Sequence, residues 1–161
     1  MPKQAAGILL FRRPSTSLRA GKREDVQVLL AHPGGPLWAR KDDGAWTLPK
    51  GQFTDGEAPL DAAIREFEEE MGSKPCGDFQ PLGTLKQPSG KIIHAWAAES
   101  DFDVTTVKSN LFSLEWPPKS GRMGQFPEVD RAEWFPVDGA RRKILKGQSP
   151  FLDRLLALLN S

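Results

Sequence analysis

The sequence predicts an α/β protein in which helices pack on the faces of a mixed sheet. Two observations support this fold class: short apolar stretches typical of strands outnumber helical stretches, and one helix with a polar face lies mid-chain between them. Strands and helices in this order favour a layered architecture. The length of 161 residues fits a single domain large enough to bury a core.

Composition excludes several classes of protein. Hydrophobic residues make up 39% of the chain and charged residues 27%, as in ordinary soluble proteins. A formal net charge of +1 argues against a general nucleic-acid or membrane binder. Cys76 is the one cysteine, and nothing approaches the roughly 20 apolar residues of a membrane span. We expect a cytoplasmic monomer or homodimer with no membrane contact and no signal peptide.

The N-terminal part of the chain contains two apolar strands and a loop. Residues 5–11 (AAGILLF) are short, apolar and rich in branched side chains, which predicts a buried strand. Residues 14–25 are polar and include Pro and Gly, so we expect a loop. Residues 26–32 (VQVLLAH) predict the second strand, and residues 46–48 a short extended piece.

Residues 59–71 carry the strongest helical pattern in the chain. Their apolar side chains recur at helical spacing, which predicts a helix with one buried stripe. The stripe consists of Leu60, Ala63, Ile64, Phe67 and Met71.

The part after this helix returns to strands. Residues 79–87 and 91–99, joined by a short turn, predict a β-hairpin. Residues 103–130 predict a long irregular segment, and residues 132–136 (AEWFP) a last short strand.

Two helices are predicted at the end of the sequence, over residues 137–145 and 150–159, the second with Pro150 in its first turn. The last helix carries an apolar face. This face either packs on the domain or forms a dimer contact.

An acidic cluster distinguishes the helix at residues 59–71. Glu66, Glu69 and Glu70 stand at i, i+3 and i+4, so they share one face, where like charges repel by a few tenths of a kcal/mol per pair. One explanation is a solvated charged face. The other is a site for a hard cation such as Mg²⁺, which takes carboxylate ligands and offsets their repulsion.

The stretch from Gly51 to Ser73 decides between these explanations, because it resembles the Nudix box, Gly-x5-Glu-x7-Arg-Glu-U-x-Glu-Glu-x-Gly-U, where U is a bulky aliphatic residue. All fixed positions of the motif are matched, and two variable ones depart mildly: Phe67 is aromatic and Ser73 is polar. The matching residues are Gly51, Glu57, Arg65, Glu66, Glu69, Glu70 and Gly72.

The resemblance implies a Nudix-type α/β/α sandwich with a mixed sheet, forming a single Nudix hydrolase domain over residues 1–161. It also implies that Mg²⁺, or Mn²⁺ in its place, is held by the Gly51 carbonyl together with Glu66, Glu69 and Glu70, with one to three ions bound. Glu57 and Arg65 would pair and brace the motif, and Gly72 suits a left-handed helix cap.

A further acidic residue is implied by the same resemblance. Many members of the family place a glutamate about six residues before a Trp near the last strand, and Glu128 stands six residues before Trp134. We expect Glu128 to be an additional metal ligand or the general base, and the alternative is a solvated loop residue. Glu66 and Glu69 are the other candidates for the base, and the sequence does not choose among them.

Three basic residues are candidates for binding phosphate. Lys50 lies in Pro-Lys-Gly, which resembles the dinucleoside polyphosphate and RNA-end branches of the family, and a lysine there can hold a phosphate. Arg40 and Lys41 are weaker candidates, and each of the three could instead be an exposed loop residue. The chain has no tyrosine, so the tyrosine sandwich of animal-type diadenosine tetraphosphate hydrolases cannot be copied. Stacking on a base would fall to Trp38, Trp96, Trp116 or Phe126.

Together these residues predict a Mg²⁺-dependent hydrolase acting on a nucleoside diphosphate linked to another group, with a dinucleoside polyphosphate such as diadenosine tetraphosphate favoured. A house-cleaning nucleoside triphosphate pyrophosphatase of the MutT type is the alternative, ahead of RNA 5′ ends and nucleotide sugars. RNA is disfavoured by the lack of a basic excess. A non-catalytic nucleotide-sensing module is the alternative from another class, although such modules usually lose glutamates that this chain keeps.

Overall fold

The first apolar strand, β1 (Gln4–Arg12), lies at the centre of the sheet. The structure is a computed structural model that describes residues 3–13 and 26–160, so the loop predicted at residues 14–25 lies outside the described residues. Strand β1 is buried from Ala5 to Phe11. Burial on both faces explains why its sequence is continuously apolar rather than alternating.

The main sheet has six strands and is mixed. Strand β2 (Gln27–Pro33) and strand β3 (Lys50–Phe53) pair antiparallel with different ends of β1, and β5 (Ile92–Glu99) pairs with β1 in parallel. The edges are β4 (Gln80–Lys86) and β8 (Val129–Pro136). Strands β4 and β5 form the predicted hairpin, and the predicted last strand is part of β8.

Helices cover both faces of this sheet. Helix α1 (Pro59–Met71) buries Phe67 and Met71 against one face. Helices α2 (Val137–Lys143) and α3 (Pro150–Leu159) contribute to a separate core on the other face, around Trp46. The predicted α/β/α sandwich is therefore confirmed. No helix in the described ranges combines the length and apolar character that crossing a membrane requires.

Helix α3 packs on its own domain through its apolar face. Phe151, Leu152 and Leu155 are fully buried in the core around Trp46. Of the two roles predicted for this face, packing on the domain or forming a dimer contact, the structure shows packing on the domain.

The prediction of an irregular segment at residues 103–130 was wrong. This segment contains a 3-10 turn (Val104–Thr106) and a second antiparallel hairpin of β6 (Leu111–Glu115) and β7 (Met123–Pro127). Each strand has five residues, and the two are separated by a turn rich in Pro and Gly. Strands of only five residues give a weak alternation signal.

The short extended piece predicted at residues 46–48 is present, but the strand that follows it was not predicted. Residues 46–48 form only isolated bridges, Thr47 with Ala31 and Trp46 with Ile144, and strand β3 begins at Lys50. The sequence of β3 is KGQF, which has neither an apolar run nor β-branched residues. Pairing with β1 rather than local propensity makes it a strand.

Candidate active site

Helix α1 supplies three of the predicted carboxylates. Glu66 is buried, with 8% of its surface exposed, whereas Glu69 and Glu70 are partly exposed and Glu68 faces solvent. Gly72 caps the end of the helix, with a φ of 94° and an N–H that donates to the Glu68 carbonyl at 2.8 Å. Glycine adopts this left-handed conformation without a steric penalty. The acidic side chains therefore lie in the C-terminal half of α1, which packs against the sheet.

Strand β3 approaches this acidic face closely. A Cβ added at Gly51 would overlap the Glu66 carboxylate, so no larger residue fits while that carboxylate keeps its position. The backbone N–H of the neighbouring Lys50 donates a hydrogen bond to Oε1 of Glu70 at 3.1 Å. Gly51 and Glu66 are the first and fourth fixed positions of the motif. The position of the Glu66 carboxylate thus requires a glycine at residue 51.

Glu128 reaches the same site from the end of β7. The N–H of Asn110 donates to the Glu69 carbonyl, and the N–H of Glu128 donates to the Asn110 carbonyl, both at 2.9 Å. Burial raises the pKa of Glu128, and the nearby charge of Glu69 raises it further. The structure therefore brings Glu128 to the carboxylates of α1, although the sequence separates them by nearly 60 residues.

Burial also raises the pKa of two carboxylates on α1, Glu70 and Glu66. Burial raises the pKa of Glu70 to about 8, against the opposing effects of the Lys50 charge and backbone N–H. Burial also raises the pKa of Glu66, where the Arg65 guanidinium opposes the shift and the charges of Glu69 and Glu128 add to it. The ionised forms of these carboxylates are disfavoured in the metal-free protein. A positive charge at this site would therefore stabilise them.

Arg65 already provides one positive charge at this site. Its Nε and Nη2 contact the two carboxylate oxygens of Glu57 at 2.8 and 2.9 Å. Its Nη1 contacts Oε1 of Glu66 at 2.8 Å and both oxygens of Glu69 at 3.2 Å. The guanidinium therefore links the loop before α1 to two carboxylates on the helix.

The donor atoms suit a hard divalent cation. As arranged, no three acidic, histidine or cysteine side chains in the described ranges converge closely enough to hold one ion, and Arg65 Nη1 bridges two of the carboxylates. The surrounding donors are nevertheless carboxylate and backbone oxygens, which Mg²⁺ prefers. In charge and in donor type these residues fit such an ion.

The predicted phosphate-binding residues separate into two groups. Lys50 lies beside Glu70, and its charge acts on both Glu70 and Lys91. Arg40 and Lys41 are exposed on the loop after β2, where the Lys41 ammonium lies 4.9 Å from the ring centroid of Trp38. The Lys41 ammonium therefore contacts an aromatic ring.

Two further basic residues, Lys91 near Lys50 and Lys3 near Lys91, were not predicted from the sequence. Burial lowers the pKa of Lys91, and the charges of Lys50 and Lys3 lower it further. The N–H of Ile92 donates to the Lys3 carbonyl at 2.9 Å, where β5 runs parallel to β1. A parallel register between distant strands leaves no local sequence signal, so this grouping could not be predicted.

Comparison with known proteins gives a consistent family. The family model for the NUDIX domain matches residues 1–155. A nucleoside triphosphate pyrophosphatase/Nudix hydrolase fusion protein of Bifidobacterium longum is 29% identical over 162 residues, covering 97% of this chain and 28% of that protein. An 8-oxo-(d)GTP phosphatase of Mycolicibacterium smegmatis is 32% identical over 140 residues, covering 85% of this chain and 36% of that protein.

A shorter match covers the region of the motif. RNA pyrophosphohydrolase of Pseudomonas aeruginosa is 43% identical over 68 residues, which are 41% of this chain and 42% of that protein. The chain thus spans between 28% and 42% of the length of these three curated relatives.

Solved structures share the fold at low sequence identity. A Caenorhabditis elegans Ap4A hydrolase in a binary complex has a TM-score of 0.64 at 21% identity, covering 97% of this chain and 98% of the other. The NUDIX domain of Shewanella oneidensis NrtR, complexed with ADP ribose, has a TM-score of 0.65 at 15% identity, covering 99% and 89%. With the motif, the sheet and the family match over residues 1–155 in agreement, the chain belongs to the NUDIX domain family.

Proposed function

We propose that this protein is a Mg²⁺-dependent hydrolase that cleaves a phosphoanhydride bond in a nucleoside diphosphate linked to another group. The observation that carries the proposal is the meeting of helix α1, Gly51 and Glu128 at one acidic site. NUDIX domains generally use a divalent metal, typically Mg²⁺. In this chain Glu66, Glu69, Glu70, Glu128 and the Gly51 carbonyl would hold it.

The residues of the site have distinct roles in this reaction. A cation held by these residues would neutralise charge on the phosphate oxygens and would make water a better nucleophile. One of Glu66, Glu69 and Glu128 takes the proton from the attacking water.

A dinucleoside polyphosphate, such as diadenosine tetraphosphate, is the substrate class that we propose. Lys50 stands beside the carboxylates, and the charge of Lys91 lies close to the charges of both Lys50 and Lys3. A chain of four phosphates offers negative charge beyond the bond that is cleaved, and a group of three lysines next to the site would attract that charge. A shorter phosphate chain would use this group less.

A nucleoside triphosphate pyrophosphatase is the second candidate. It is favoured by the 8-oxo-(d)GTP phosphatase of M. smegmatis, which matches 85% of this chain. The match to RNA pyrophosphohydrolase covers only 41% of the chain, and the net charge of +1 gives no general affinity for RNA. A nucleotide-sensing module without catalysis is a third candidate, opposed by the complete set of motif glutamates.

A substrate panel tests these candidates directly. Diadenosine tetraphosphate, ATP, 8-oxo-dGTP, ADP-ribose and 5′-triphosphorylated RNA are each incubated with Mg²⁺ or with a chelator, and the products are identified by mass. We expect the highest kcat/KM with diadenosine tetraphosphate and no turnover with the chelator. A higher value with a nucleoside triphosphate would favour the second candidate. Tight binding without turnover of any compound would favour the sensing module.

A further inference from the structure

A cavity of about 220 Å³ opens beside Glu128. Its walls come from the loop after β2, which contributes Leu37 and Trp38, and from β6, which contributes Phe112 and Leu114. Glu128 is the one charged residue in the lining. Pockets for drug-sized ligands measure roughly 300–1,000 Å³, so this cavity suits a single ring system rather than a whole nucleotide.

The aromatic wall of the cavity lies directly on backbone. Gly35 has a φ of 94°, and a Cβ added there would stand 2.8 Å from Cζ of Phe112. Any side chain at this position would push the Phe112 ring away or fill the space beside it. Phe112 is supported from its own hairpin by Phe126, at a ring-centroid distance of 6.0 Å.

The loop that carries Trp38 is anchored by a buried histidine. His32 is fully buried, its Nδ1 contacts the Asp130 carboxylate at 2.9 Å, and its Nε2 contacts the Lys41 carbonyl at 2.7 Å. The N–H of Lys41 in turn donates to the Trp38 carbonyl at 3.0 Å. A wall held in this way loses little conformational freedom when a ligand binds.

A series of backbone hydrogen bonds connects the cavity to the acidic helix. Asn110 donates to Glu69, Glu128 donates to Asn110, and Gly34 donates to Glu128, at 2.9, 2.9 and 3.0 Å. Gly34 is part of the cavity lining, and Glu69 is part of the acidic site. The two sites are therefore adjacent and share Glu128. A nucleotide whose phosphates lie at the carboxylates has its base within reach of the cavity.

We infer that this cavity binds the nucleobase of the substrate by stacking against Trp38 and Phe112, with little discrimination between bases. The inference rests on the proposed function, because phosphates at the acidic site bring the base to the cavity. Stacking on an aromatic side chain is worth about 1–3 kcal/mol per base and tolerates any base, since each has a π face. Reading one base requires several polar side chains, and besides the indole N–H of Trp38 the lining supplies only Glu128.

Binding of nucleoside monophosphates tests the inference without hydrolysis. AMP, GMP and ribose 5-phosphate contain no phosphoanhydride bond, so their Kd values can be measured by calorimetry in the presence of Mg²⁺. We expect AMP and GMP to agree within about threefold and to bind more tightly than ribose 5-phosphate. Trp38→Leu and Phe112→Leu should each weaken both nucleotides by roughly 5- to 150-fold and leave ribose 5-phosphate unchanged.

Two further variants make the test specific. Trp116→Leu changes the same residue type at the tip of the β6–β7 hairpin, outside the cavity lining, and should bind all three compounds like the wild type. Leu37→Gln places a polar side chain in the cavity wall at a residue that is 58% exposed, so folding should be unaffected. It should weaken AMP and GMP together.

Several outcomes would overturn the inference. Folded Trp38→Leu and Phe112→Leu variants that bind AMP and GMP like the wild type would exclude the cavity as the base site. If those variants do not fold, unchanged binding by Leu37→Gln would exclude it. A difference above tenfold between AMP and GMP would exclude stacking without discrimination.

The proposed function can fail separately from this inference. AMP and GMP could bind more tightly than ribose 5-phosphate and be weakened by the cavity variants, while no compound in the substrate panel is turned over. This result would reject the proposed hydrolase activity and support the cavity as the base site. Turnover with the same kcat/KM in the wild type and Trp38→Leu would support the hydrolase and reject the cavity.

Discussion

The backbone N–H of Lys50 donates a hydrogen bond to the carboxylate of Glu70 at 3.1 Å. This contact joins strand β3 to the last turn of helix α1, two elements that the sequence separates by a loop. Burial raises the pKa of Glu70 to about 8 even though the Lys50 charge and N–H act in the opposite direction. The carboxylate is therefore held where its ionised form is disfavoured in the metal-free protein.

This position of Glu70 predicts how the metal-free protein responds to pH. The unfolded chain releases the proton near pH 4.3, whereas the folded state keeps it up to about pH 8. The stabilising contribution is fully present below about pH 4.3 and is lost as the pH rises through about 8. Urea unfolding in a chelator should therefore show stability falling over this range. Glu70→Gln, which carries no ionisable group, should flatten the dependence, and equal slopes in both proteins would contradict the prediction.

A pair of glycine substitutions tests the close approach at the acidic site. Gly51→Ala should displace the Glu66 carboxylate and lower kcat/KM by about a hundredfold, the scale expected when a reacting group shifts by about 1 Å. Gly56→Ala is the matched control, because a Cβ there meets nothing within 4 Å. Activity and Mg²⁺ affinity are measured together for both variants. Comparable activity in the two variants would mean that Gly51 is not needed for its close approach.

Neighbouring glutamates on α1 provide a test of the proposed metal ligands. Glu69→Gln and Glu70→Gln should each lower turnover by at least about a hundredfold, because even residues that only support metal ligands cost 10–100-fold when changed. Glu68→Gln makes the same chemical change on the exposed side of the helix and should keep near-normal turnover. Stability of the metal-free Glu69 and Glu70 variants should hold or rise, because local repulsion falls. Near-normal turnover of both would reject the assignment of the metal site.

A lysine substitution separates the two leading substrate classes. Lys50→Ala should lower kcat/KM for diadenosine tetraphosphate by roughly tenfold to a hundredfold, since a charge-assisted contact is worth about 1.5–3 kcal/mol. The loss with a nucleoside triphosphate should be clearly smaller, because fewer phosphates lie within reach. Lys74→Ala, at an exposed position after α1, serves as the control. Equal losses on both substrates would assign Lys50 to the shared reaction, and no loss would make it an ordinary loop lysine.

The elements that the sequence predicted correctly are those with a strong local pattern. Helix α1 has the predicted limits, Pro59 to Met71, because its apolar stripe, its Pro start and its glycine cap all act within the segment itself. Strand β3 and the β6–β7 hairpin were not predicted, because their extended conformation depends on partners elsewhere in the chain. Strand β3 pairs with β1, and Phe112 of β6 packs on Gly35. Local propensity carries little information about such partners.

The sequence by itself determined the family, the helix and the row of glutamates, since the motif lies within one continuous segment of the chain. The tertiary structure alone decided which residues lie next to these glutamates: the Gly51 backbone lies against Glu66, and Glu128 lies beside Glu69. It also decided that Lys91 lies near both Lys50 and Lys3. These neighbours come from separate strands and loops, whose relative positions depend on sheet register and burial rather than on spacing along the chain. The aromatic cavity next to Glu128 is decided in the same way, because its walls meet only when β2, β6 and β8 have been packed together.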